Sequence, residues 1–442
     1  MFTEVEAARS LAALRAAGPV VVAPVPSRAA AQTTQMSPCA HVVRVSLGND
    51  GRQSQLGEKF PERPSLSGRG RYVTFVSLSP DLVRGDTNDA ADVFVRDRLR
   101  RTTARVSVGP DGEAAEASGE AVISGNGRRV VFSTASALVP ADRNDTVDVY
   151  VRDRWARRTT LVSQAPDGAA GDGPSFLAHL SGTGRYVAFQ SSAGDLVRGD
   201  TDGVEDAFVR DVVTGRTERV SVLPAGRGEV AAGTEPRITR NGARVLFGSL
   251  DDDDTTTLWV RNLRRQTTTR VPTGVTGHAA IGSWSLSATG RYVAFFTDRA
   301  LVRSDTNGEN DVYRVDRRTG RTVRLSVGTS GRPGSSYSET VELSGSGQVA
   351  AFTSGSSDLV PGDDNAAVDV FVRDVRARTT TRVSVSSSGA QGDADSGYSR
   401  DIAISADGTQ VAFGSFATDL VAGDTNDAPD VFVADRRCPA GG

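Results

Sequence analysis

The chain has 442 residues, 38% of them hydrophobic and 24% charged, with a formal net charge of −3. That length is enough to bury a large core, while the near-neutral total supplies no global field to recruit nucleic acid or an acidic membrane surface. Two cysteines, Cys39 and Cys438, are too few for a Cys/His metal cluster, and no apolar run reaches the ~18 residues of a membrane-crossing helix.

Residues 1–38 stand apart from the rest of the chain. They open MFTEVEAARSLAALRAAGPVVVAPVPSRAAAQ, and the small residues at Ala29–Ala31 fit the end of a secretory leader. Glu4 and Glu6 do not suit its start, and Pro19, Pro24 and Pro26 interrupt its apolar stretch. A disordered tail or a misassigned start codon is the competing account. Residues 39–438 form the domain, and residues 439–442 a short C-terminal tail.

Within the domain the sequence repeats. Asp81 to Asp97 reads DLVRGDTNDAADVFVRD, and copies begin at Asp195, Asp358 and Asp419, with looser ones at Ala137 and Ala300. Self-similarity at a fixed period marks a repeat architecture and overrides a domain count drawn from length. Each unit carries four strand-like segments bounded by Gly, Asp, Asn and Ser; in the second they span residues 121–124, 129–133, 148–152 and 159–163. A four-stranded meander of this size cannot bury enough surface alone, so copies must pack face to face around an axis. The phenylalanine of the second segment recurs at Phe75, Phe132, Phe189, Phe247, Phe295, Phe352 and Phe413. The expected fold is therefore all-β, a single seven-bladed β-propeller. Its fourth unit departs from the rest: the acidic loop shrinks to Asp251–Asp254 and Trp259 replaces the usual Phe or Tyr.

The two ends of the chain are complementary. The last repeat stops at Val431-Phe432-Val433, while Val42 to Leu47 precedes the first repeat and matches the fourth segments at Arg105–Val108 and Arg382–Val385. The N-terminal strand should complete the last blade and close the ring. Cys39 and Cys438 flank that strand pair, where a disulfide is geometrically open. The chain-entropy relation gives so long a loop roughly 6 kcal/mol, and two unrelated thiols are the alternative. A disulfide points to an oxidising compartment, and with the leader-like segment it suggests a secreted or periplasmic protein.

The segments SGNGRRVVF, SGTGRYVAF and SADGTQVAF, each followed by VFVRD or its equivalent, resemble TolB-type propeller repeats, and the likeness runs from about residue 41 to 437. The resemblance implies a propeller, often periplasmic or secreted, that holds partner proteins or precedes a catalytic domain. The chain shows neither the additional N-terminal domain of TolB nor the α/β-hydrolase domain of propeller-bearing peptidases, so neither role carries over.

Six loops share one acidic spacing: Asp86/Asn88/Asp92, Asp142/Asn144/Asp148, Asp200/Asp202/Asp206, Asp305/Asn307/Asp311, Asp363/Asn365/Asp369 and Asp424/Asn426/Asp430. Three oxygen-bearing side chains in a turn suit Ca2+, with carbonyls and water completing the shell, and Gly203 and Gly308 stand where a sharp turn favours glycine. The spacing is not that of an EF-hand. The metal-free alternative is an Asx-turn, in which the side chain accepts an amide two residues on. The aspartates ending the third segments read as turn anchors, and the Arg-rich fourth segments as solvated edges. Of the three histidines, His41, His179 and His278, none joins a nucleophile motif, although His179 lies in a first segment that can face the channel. The expected function is a non-catalytic, exported, monomeric scaffold that engages protein partners through the acidic loop face, without membrane insertion. A calcium-dependent surface or carbohydrate-binding module and a propeller lyase or hydrolase are the alternatives.

Overall fold

Among the described residues, twenty-eight strands form seven four-stranded antiparallel sheets in the computed structural model. It describes residues 41–54, 64–110, 118–200, 203–224, 231–250, 255–276, 281–397 and 402–437. Each sheet is one repeat, and the sheets stand as the seven blades of a propeller. The second blade is representative, with strands Ser118–Ile123, Arg129–Thr134, Asp148–Asp153 and Arg158–Leu161 running outward from the axis.

Face-to-face stacking explains the composition of the middle strands. In Tyr72–Ser77, Val73, Thr74 and Phe75 are all fully buried, because both faces of the strand meet a neighbouring blade. The repeated phenylalanines pair in register with the aromatic residue of the third strand: Phe75 with Phe94, Phe132 with Tyr150, Phe189 with Phe208. The rings stack at 5.7 to 6.0 Å between centroids. Burying each such ring is worth roughly 2–3 kcal/mol. The apolar clusters lie between blades rather than within them; Val95 and Val106 of the first blade pack with Ala121, Val130 and Phe132 of the second.

The same packing recurs at the seam. His41–Arg44 pairs antiparallel with Asp430–Asp435, with Val43 opposite Val433 and Arg44 opposite Phe432. The Val45 amide extends the ladder to Val431 at 2.8 Å. Val45, Val431 and Val433 then cluster with Val73, Phe75 and Phe94 of the first blade. The head of the domain thus supplies the outermost strand of its last blade.

The S-G-x-G motif is required by close approach at the inner edge. Backbone bonds pass from blade to blade there: Ala406 N to Gly68 O, Gly68 N to Gly125 O and Gly182 N to Arg240 O, at 2.8–3.2 Å. The second glycine has a left-handed backbone, φ +72° at Gly127, and a Cβ there would lie 2.2 Å from the Tyr72 ring of the preceding blade. Glycine is needed for both reasons.

Two boundaries differ from the sequence reading. The first strand of the second blade starts three residues early, at Ser118, because a β-bulge with Glu120 at φ 52° interrupts the alternation. Its fourth strand ends at Leu161, where the Ser163 hydroxyl takes over and accepts the Val149 amide at 3.0 Å. In the fourth blade Trp259 pairs with Phe247 and donates its indole N–H to Ser249 Oγ at 2.9 Å. Among the described residues, no helix is long and apolar enough to cross a membrane.

The expected leader or tail, Cys39, Cys438 and the C-terminal tail lie outside the described residues, as do Asp202, Asp251–Asp254 and His278. The paired positions His41 and Asp435 stand two and three residues from the cysteines. If the cysteines bridge, Cys39→Ser should lower stability by about 2–5 kcal/mol in non-reducing denaturant melts, and reductant should affect only the unsubstituted chain. Equal midpoints with and without reductant would leave the ring fastened by strand pairing alone.

Candidate functional site

The aspartates of the repeated loops point inward. Asp92, Asp148, Asp206, Asp311, Asp369 and Asp430 begin third strands and are buried. In five blades one arginine of the outer strand faces this aspartate and the first aspartate of the loop. Arg105 Nη1 lies 2.8 Å from Asp86 and 3.1 Å from Asp92. Arg219 faces Asp200 and Asp206, Arg324 faces Asp305 and Asp311, and Arg382 faces Asp363 and Asp369. In the last blade the arginine comes from the closing strand: Arg44 lies 3.1 Å from Asp424 and 2.8 Å from Asp430. The serine two residues on completes each cluster, its hydroxyl donating to the strand aspartate, as Ser107 does to Asp92 and Ser46 to Asp430. The motif R-V-S is thereby accounted for.

These arginines were expected in solvated edges; they are instead drawn inward because two buried carboxylates need a counter-charge. The Asn residues form Asx-turns: Asn88, Asn144, Asn307, Asn365 and Asn426 each accept an amide two residues on. Gly203 and Gly308 adopt left-handed φ of +69° and +74° at the loop tip. In the fourth blade, the corresponding Arg270 is exposed.

The second blade breaks the pattern. Leu161 stands where the others carry arginine, so Asp142 and Asp148 share no guanidinium. The Tyr150 hydroxyl donates to Asp142, and Asn144 donates to Asp148 at 2.9 Å. Burial still pushes the Asp148 carboxyl up to about 6, against the pull of Ser163 and Asn144. Asp430 is also raised by burial, with Arg44 and Ser46 opposing it.

A second constellation lines the central channel, a cavity of about 220 Å3 bounded by the first strands. His179, Arg237, Ser285 and Glu342 occupy one repeat position in blades three to six, whose counterparts elsewhere are Ser65, Val122 and Ala403. Burial, with the charge of Arg237 second, holds the His179 imidazole down to about 3, so it is neutral at physiological pH. Its Nδ1 is without a hydrogen-bond partner. Burial raises the Glu342 carboxyl, while Arg237 and the Ser285 hydroxyl, donating at 2.9 Å, oppose it. Two residues before this channel position, the backbone is left-handed at Glu120, Leu177, Glu235, Ser283 and Thr340. Sequence reasoning placed His179 here but missed Arg237 and Glu342; the available signal was their departure from the other copies at an aligned position. His41 is exposed beside Ser387, away from this cluster.

No family model matches the chain, and no curated protein matches it. Solved structures do. An oligogalacturonate lyase from Vibrio parahaemolyticus is similar at 12% identity and a TM-score of 0.53, over 89% of this chain and 93% of that one. The β-propeller domain of the Trilobed protease from Pyrococcus furiosus is similar at 8% identity and a TM-score of 0.51, over 85% and 94%. TolB from Acinetobacter baumannii matches at 13% identity over 89% of each chain, with a TM-score of 0.41. The first two likenesses bear on the fold, which is that of a β-propeller.

The loop clusters make two testable demands. Arg382→Leu leaves Asp363 and Asp369 without their cation, and Phe371 offers no hydroxyl in place of the second blade's Tyr150; it should cost about 3 kcal/mol at pH 8. Part of that loss should return toward pH 5, where the carboxyls can take protons. Asp148 follows the same sense without any substitution. With its folded value raised above the ordinary ~4, its contribution to stability is fully present below pH 4 and is lost as pH rises to about 6. Asp148→Asn should therefore gain on the order of 2 kcal/mol over the unsubstituted chain at pH 8, and no such gain at pH 4, in urea melts. A separate titration addresses Ca2+. Because a guanidinium stands between the paired aspartates in five loops, millimolar Ca2+ or chelator should leave the melting midpoint within about 1 °C; a larger rise would assign the loops to the cation.

Proposed function

We propose that this chain is a non-catalytic, exported binding scaffold that engages a protein partner through the face bearing the second-to-third-strand loops. The observation that supports this is the split within each loop. Buried aspartates and serine, joined by arginine in five of the loops, fix the frame, while the tip residue is left exposed on a left-handed backbone, as at Asp89, Asp145 and Asp427. Side chains held in this way lose little freedom on contact, which favours a docking surface over an adaptable one. The exposed tips remain acidic in several blades, with Glu309 and Asp364 on the same side. A partner with a basic surface is the complementary one. Conserving the frame while varying the tips is what a binding scaffold requires.

A calcium-dependent surface or carbohydrate module would use the same loops, but in five of them the inward carboxylates already have a guanidinium as counter-charge. A propeller lyase or hydrolase is favoured by one observation, the meeting of His179, Arg237 and Glu342 on a single cavity. An imidazole held at about 3 is a weak base at neutral pH, which places this reading second. Turnover of an acidic polysaccharide that disappears in His179→Ala would reverse the order.

For the scaffold reading, Asp89→Arg, Asp145→Arg and Asp427→Arg together should weaken capture of cross-linked partners from an exported-protein extract about tenfold, with the melting midpoint unchanged. Capture of the same partners at full strength would remove the loop face from consideration.

A further inference from the structure

The turn between third and fourth strands carries one aligned position, two residues past the strand's last Asp or Asn. In the first three blades it is apolar: Leu99, Trp155 and Val213. These are the most exposed large hydrophobic side chains of the described residues, at 75%, 65% and 63%. In the remaining four blades the same position is Arg264, Arg318, Arg376 and Arg437, all exposed, with Arg437 ion-paired to Asp435 of its own blade. Consecutive blades are neighbours around the ring, so one face of the disc bears an apolar arc on one side and a cationic arc on the other.

These side chains are mounted rigidly. The amides of Leu99, Trp155 and Val213 are held by Asp97, Asp153 and Asp211 at 3.0–3.2 Å. The same aspartates are neutralised by Arg71, Arg128 and Arg185 at 2.7–2.8 Å. Arg128 also lies over the Trp155 ring, 5.3 Å from its centroid. By antiparallel connectivity this is the face opposite the acidic loops.

We propose that this face docks on an anionic phospholipid bilayer, without spanning it. An aromatic and two aliphatic side chains exposed at one repeat position suit burial at the headgroup–acyl boundary, with arginines meeting the lipid phosphates. A nucleic acid or acidic polysaccharide strand is the weaker fit. Leu99 and Val213 offer such a strand neither stacking nor hydrogen bonds, whereas lipid covers them. The inference does not rest on the loop-face reading, and docking here would leave that face directed away from the membrane.

The test uses the purified full chain and vesicles of phosphatidylcholine with or without phosphatidylglycerol. Sedimentation with the phosphatidylglycerol vesicles is expected, weakening as salt is raised. Trp259 and Trp284 are buried, at 3% and 4% exposure, so quenching by brominated acyl chains reports on Trp155. Leu99→Ser/Val213→Ser, which keeps the Trp155 reporter, should weaken the quenching and cut the bound fraction about tenfold. Arg264→Glu/Arg318→Glu/Arg376→Glu, a second variant at exposed positions, should do the same through charge, both with unchanged melting midpoints. Equal sedimentation with and without phosphatidylglycerol, undiminished binding by either variant, or tighter retention on single-stranded nucleic acid or polygalacturonate than on vesicles would overturn the assignment.

Discussion

A four-stranded meander exposes two apolar faces, and each must be covered by another sheet. This single constraint governs the molecule, because only a closed circle covers both faces of every blade. The buried aromatic pairs, Phe75 with Phe94 through Phe413 with Phe432, sit where successive blades press together. The circle closes where Arg44 meets Phe432 and Val43 meets Val433. Stability of the first blade therefore depends on residues at the far end of the chain, such as Val431 and Val433.

Closure also determines where charge goes. Once blades are packed, the start of each third strand is buried, and the aspartate there has lost its water. The outer-strand arginine and serine are recruited to it, so a motif that looks like an acidic ligand set becomes an internal brace. Third-strand arginines serve a related end between blades: Arg96 reaches the carbonyls of Leu47 and Gly48, and Arg373 those of Val327 and Gly328. A planar guanidinium with several donors suits such divided contacts better than an ammonium does. Arginine thus has a structural role at several third- and fourth-strand positions.

Symmetry of the frame makes its exceptions informative. Leu161 lacks the guanidinium found in five other blades, and Arg240 stands among glycines and alanines at the inner edge, its guanidinium close to Gly68 and Gly125. His179, Arg237 and Glu342 diverge at one channel position, and Leu99, Trp155 and Val213 at one turn position. Substitution at positions the frame does not constrain is where recognition can be built onto a repeat.

The sequence alone determined the blade count, the meander within each blade and the closing strand, because these depend on periodic burial, which repetition displays directly. The turn glycines were legible for the same reason, as was the Asx geometry at Asn88 and its counterparts. Only the tertiary structure decided which way Asp92 and Arg105 point, that bulges at Glu120 and Leu177 shift the inner strands, and which residues meet in the channel. Those outcomes depend on distances between residues of different strands and blades, which a one-dimensional pattern does not encode. Charge shows the difference most clearly: a sum over the chain is the same however the residues are arranged, while the field at each face of the disc is set by where folding places them.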